Sequence, residues 1–61
     1  MAKWEYRLES AILYGEPRLP ETPRMTTEWL NELGEHGWEL LRITRTENTL
    51  VGNLVFKRPI E

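Results

Sequence analysis

Leu33-Gly34-Glu35-His36-Gly37-Trp38-Glu39-Leu40 decides how this chain folds, because it reads as the end of the only helix and its turn into a strand. With Gly37 just past the helix, in the left-handed conformation that costs glycine little, Trp38 folds back on Leu33. The start of the helix follows from similar reasoning. With Thr26 as the cap, its hydroxyl accepts from the first free backbone amides, and Met25 before it meets Leu30 four residues into the helix. The expected helix spans 27–36, with Trp29, Leu30 and Leu33 as one apolar stripe and Glu28, Asn31, Glu32 and Glu35 elsewhere. Gly34 inside it costs about 1 kcal/mol relative to alanine, a cost that predicts the close approach of a backbone or a ring such as that of Trp4.

Upstream, Lys3-Trp4-Glu5-Tyr6-Arg7-Leu8-Glu9-Ser10 alternates apolar and polar residues as a half-buried strand does. Trp4, Tyr6 and Leu8 are expected to face the core. The alternation stops from Ala11 to Tyr14, where four apolar residues run together and both faces call for cover. Residues 15–24 carry three of the four prolines and read as a loop, longer than the usual connection of about four to six residues.

Downstream, Trp38-Glu39-Leu40-Leu41-Arg42-Ile43-Thr44-Arg45-Thr46 is rich in strand formers but changes phase. Either a bulge sits near Leu40-Leu41 or both sides are covered. Residues 47–49 supply a turn, with Asn48 suited to a positive φ. A third strand runs from Leu50 to Arg58, and Pro59, with no amide to donate, ends it. The expectation is an α+β domain over residues 1–61, ordered β-α-β-β: a three-stranded antiparallel sheet with one helix packed on one face. Its expected core is Trp4, Tyr6, Leu8, Trp29, Leu33, Trp38, Leu54 and Phe56. Truncating Trp29 or Trp38 to alanine is then expected to cost roughly 3–5 kcal/mol.

Composition bounds the function. A chain of 61 residues buries only about 60% of the surface its unfolded form exposes, and usually needs a staple. The absence of cysteine removes disulfides, thiolate metal sites and cysteine nucleophiles, and a lone His36 makes no histidine cluster. Oligomerisation remains. The sheet face without the helix, expected to present Ala11, Leu13, Val51 and Val55, is the surface through which copies would meet. No apolar run approaches a membrane span or a signal peptide core, so the default expectation is cytoplasmic and without membrane contact. All ten acids are glutamates and the net charge is -2, which argues against nucleic-acid binding through overall charge. Glu28, Glu32 and Glu35 ride on the helix, while Lys3, Arg7, Arg42, Arg45, Lys57 and Arg58 fall on strands, where pairs such as Arg7 opposite a glutamate are expected.

Three blocks, Trp4-Glu5-Tyr6, Leu30-Asn31-Glu32-Leu33-Gly34-x-x-Gly37-Trp38-Glu39-Leu40 and Phe56-Lys57-Arg58-Pro59, resemble the DUF4177 family of short bacterial and phage proteins. The loop at 15–24 departs from that pattern, being longer and richer in proline. The resemblance implies a fold and a bacterial or phage setting, and carries no catalytic residue. The residues point the same way. His36 beside Glu35 and Glu39 suits a general base with an orienting carboxylate, but it equally suits a helix end. No phosphate-cradling loop or metal cluster is present, so neither an enzyme nor a cofactor is expected.

The functional expectation is a non-enzymatic, homo-oligomeric binding module. One version takes a small anionic ligand such as a nucleotide at a subunit boundary, where Arg18 and Arg24 lie near the free amides after Thr26. The alternatives are an adaptor for another protein and a weak single-strand nucleic-acid binder that stacks bases on the aromatic residues.

Overall fold

The computed structural model describes residues 3–47 and 49–60. Its elements, in chain order, are β1 (Lys3–Ile12), α1 (Thr27–Glu35), β2 (Glu39–Arg45) and β3 (Val51–Ile60). The strands form one antiparallel sheet in the order β1-β3-β2, with β3 in the centre. This is the expected α+β arrangement. No helix among the described residues is long and apolar enough to cross a membrane.

Local chemistry sets both ends of α1. The Trp29 amide donates to the Thr26 hydroxyl at 3.1 Å, which satisfies one of the amides that the first turn leaves free. At the other end Gly37 has φ +87°, the Gly37 amide donates to the Gly34 carbonyl at 2.9 Å, and the Trp38 amide reaches the Leu33 carbonyl at 3.0 Å. That pair of bonds turns the chain out of the helix and brings Trp38 back beside Leu33. Met25 and Leu30 also pack against the core, as a staple across the helix entry requires.

Register decides the faces of the sheet. Arg7 pairs with Phe56, Glu9 with Leu54 and Ala11 with Gly52, so these residues share the face covered by α1. The core there is Ala11, Leu33, Leu54 and Phe56, with Met25, Trp29, Leu30, Trp38 and Leu40 against it. Trp29 meets Phe56 edge to face, centroids 6.1 Å apart. Trp4, Tyr6 and Leu8 alternate with Arg7 and Glu9 and therefore lie on the opposite face, where they are 41%, 65% and 74% exposed. Their expected place in the core is corrected: alternation groups residues, but pairing with the buried Leu54 and Phe56 gives the helix side to Glu5, Arg7 and Glu9. Ala11 is likewise on the helix side, and so is Leu13, which lies over Gly52.

The phase change in β2 is a bulge between Leu40 and Arg42, which lets Leu40 pair with Phe56 and Ile43 with Leu54 on one face. Ala11 and Ile12, on opposite faces, are both buried, as the end of alternation implies. Three further expectations are corrected. Pro59 does not end β3 but pairs with Trp4; β2 has already ended at the Glu39–Lys57 pair, so a missing amide takes nothing from that side. Arg7 does not face a glutamate across the strands. It bonds Glu9 on its own strand at 2.7 Å, while the cross-strand ion pair is Glu5 with Arg58. Asn48 lies outside the described residues.

Gly34 has no neighbour within 4 Å of the position a Cβ would occupy, so the close approach expected there does not exist. Its helical cost is uncompensated. Gly34→Ala should stabilise the domain by about 1 kcal/mol, raising Tm by roughly 4–8 °C at this chain length. A thermal melt of the variant at or below the wild-type midpoint would count against an open helix surface at this position.

Candidate functional site

Two surfaces stand out beyond the core. The first is the helix-free sheet face. On β1 it presents Trp4, Tyr6 and Leu8, and across the sheet Val55 pairs with Leu8 and Lys57 with Tyr6. The Lys57 ammonium lies 4.1 Å from the Trp4 ring centroid, close enough for a cation–π contact. Farther along the same face the Ser10 hydroxyl donates to Asn53 Oδ1 at 3.0 Å. Charges of both signs border the apolar stripe, because β2 contributes Glu39, paired with Lys57, and Arg42, paired with Val55.

The second is a cleft of about 370 Å³ on the helix side, lined by Arg7, Trp29, Glu32, Leu33, His36, Trp38 and Arg58. It joins residues from β1, α1, the turn after α1 and β3. The Arg58 guanidinium carbon lies 4.3 Å from the Trp38 ring centroid and that of Arg7 lies 5.6 Å from it. Arg58 donates through Nε to Glu5 and through Nη1 to the His36 carbonyl at 2.9 Å. Arg7 donates through Nε to Glu9. The His36 ring is held by Nδ1–H donating to the Glu32 carbonyl at 2.9 Å. A carbonyl can only accept, so Nδ1 carries the proton. Backbone, and neither Glu35 nor Glu39, orients this imidazole.

None of Arg18, Arg24 and Thr26, the residues singled out from sequence, lines this cleft. Thr26 spends its hydroxyl on the helix cap, and Arg24 donates Nη2 to the Gly15 carbonyl at 2.6 Å, drawing the neck of the loop together. The Ile12 amide donates to the Pro23 carbonyl at 2.8 Å, and the Met25 amide to the Ile12 carbonyl at 2.9 Å, so the returning loop is stitched to the end of β1. Arg18 is exposed on that loop, and no hydrogen bond among the described residues joins it to Arg24 or Thr26. The Gly15 carbonyl takes one of the five N–H donors of Arg24, and the Thr26 hydroxyl takes the Trp29 amide. Among the described residues no group of three or more His, Cys, Asp or Glu side chains could hold a metal ion.

Sequence reading missed the cleft, although a signal for it was present. Arg58 is two residues beyond Phe56 on the same strand, and so in phase with the core. A cation there sits at the edge of the helix-covered layer. Pairing Arg7 with Phe56 then puts a second cation beside the first, a step that needs the register.

No family model matches this chain, and neither the curated proteins nor the solved structures contain a match.

Proposed function

We propose that this chain is a non-enzymatic, self-associating binding module, DUF4177-like in its three sequence blocks, whose copies meet through the helix-free face of the sheet. The observation that carries the reading is the exposure of Trp4, Tyr6 and Leu8 side by side on that face. Three large apolar side chains in one stripe form the kind of patch that marks an interaction surface. A second copy suits it for two reasons. The border carries Glu39 beside Lys57 and Arg42, and a two-fold axis can set such a mixed border against itself with opposite charges facing. The single helix covers only one face of the sheet in a domain this small, and a second copy would cover the other.

Light scattering tests the proposal. Wild-type protein at micromolar concentration should have at least twice the mass of the chain, and Leu8→Glu should return it to a monomer with its circular dichroism unchanged. Leu8 is already 74% exposed in the single chain, so the charge should not disturb the fold. A monomeric wild type would overturn the reading. Quenching of the tryptophan emission of that monomer by oligothymidylate would assign the face to a nucleic-acid strand, for which Trp4 beside Lys57 supplies a stacking ring and a cation.

A further inference from the structure

The cleft beside Trp38 lies on the other side of the sheet from the self-association face and has a chemistry of its own. Two guanidinium groups converge on one indole, and each is anchored through Nε to a different carboxylate, Arg58 to Glu5 and Arg7 to Glu9. The anchors fix the direction of each fork before any ligand arrives, which lowers the ordering cost of binding. Donors remain. Arg7 makes its one hydrogen bond among the described residues through Nε, which leaves the N–H groups of both Nη atoms unspent. Arg58 has Nη2 unspent as well. Because Arg58 Nη1 already takes the His36 carbonyl, one of the free carbonyls at the end of α1 is satisfied and its partial negative charge is offset. Among the described residues Glu32 is the only carboxylate on the lining, and Trp29, Leu33 and Trp38 supply the apolar wall. The volume falls within the range of small-molecule sites.

We propose that this cleft binds a small planar anion, an aromatic ring carrying a phosphate or carboxylate group, with its anionic oxygens on Arg7 and Arg58 and its ring against the indole and Leu33 wall. Guanidinium forks match such oxygens in pairs, and the apolar wall favours a flat ring over a hydrated inorganic ion. The proposal deepens the reading of the chain as a binding module, but it places the ligand within one protomer and does not require the subunit boundary or the 15–24 loop.

Phenyl phosphate is the probe, followed by the indole N–H resonance of Trp38 in a nuclear magnetic resonance titration. It should shift that resonance saturably and leave that of Trp4 in place, with inorganic phosphate and phenol each binding about tenfold more weakly, since each lacks half of the recognition. Arg7→Gln should weaken phenyl phosphate about tenfold or more, the loss of a charge-assisted contact, and Arg7→Lys should fall between it and the wild type because it keeps the charge without the fork. Melting curves of both variants confirm that they remain folded, as expected for an exposed side chain. No saturable shift at Trp38, equal affinity in Arg7→Gln, or a shift at Trp4 instead would overturn the proposal. Leu8→Glu, on the opposite face, should keep the wild-type affinity. Loss of self-association with binding retained, or binding absent from an intact oligomer, therefore tells the two readings apart.

Discussion

Phe56→Ala should destabilise the domain by about 3–5 kcal/mol, the cost of removing a buried aromatic ring and leaving a cavity behind. Total stabilities of small domains start at about 5 kcal/mol, so the variant should keep at most about 2 kcal/mol and unfold at far lower urea than the wild type. Phe56 is 1% exposed on the central strand, between Arg7 of β1 and Leu40 of β2, and its ring takes the edge-to-face contact with Trp29. No neighbouring strand can move in to fill its space, because β1 and β2 are hydrogen-bonded to β3 on either side. Leu54→Ala, at 0% exposure, should follow at about 2–5 kcal/mol. The tryptophans rank lower than their size suggests. Trp29 and Trp38 are half-buried, so part of each indole is already in water, and their truncation should cost less than that of Phe56. Urea denaturation of the four variants gives the order; a Phe56→Ala midpoint equal to the wild type, or above that of Trp38→Ala, would contradict the position of the core.

Gly52→Val should cost about 1–3 kcal/mol, the usual range for overpacking a filled interior. A Cβ at this buried position would stand 2.8 Å from Leu13 Cδ1, 3.2 Å from Leu13 Cγ and 3.1 Å from the Thr44 carbonyl oxygen. The leucine tip can turn away. The carbonyl cannot, because it belongs to the backbone of β2, where Thr44 is held in register with Asn53. Gly52→Ala should show the same effect in smaller measure. In a double-mutant cycle, Leu13→Ala should reduce the cost of Gly52→Ala without abolishing it, since the contact with Thr44 remains. Chemical denaturation of the four proteins measures the coupling, and additive costs would mean that Leu13 does not occupy the space above Gly52.

The two internal glycines show where sequence reading stops. A glycine in a helix or strand is a cost, and the cost invites an explanation by close approach. At Gly34 the explanation fails, since the space beside it is open; at Gly52 it holds, with Leu13 as the intruder. Which glycine is crowded depends on what the chain lays over it. Leu13 is 39 positions away in sequence from Gly52, and only the pairing of Ala11 with Gly52 brings it there.

By itself the sequence determined the features that arise from neighbours along the chain: the Thr26 cap, the positive φ at Gly37 and the return of Trp38 to Leu33. For the phase change in β2 it left a bulge and two-sided cover open, and the pairing with β3 chose the bulge. The candidate cleft was not legible in that way, for its arginines come from β1 and β3 and its indole from the turn after α1. The tertiary structure alone decided which side of β1 the helix covers. Alternation placed Trp4, Tyr6 and Leu8 together, yet a strand has two faces, and a shift of one residue in pairing exchanges them. The choice was made when Arg7 and Glu9 came to lie beside Phe56 and Leu54. The buried pair on the central strand fixes the face of its partner, and β1 must take the orientation its hydrogen bonds to β3 allow.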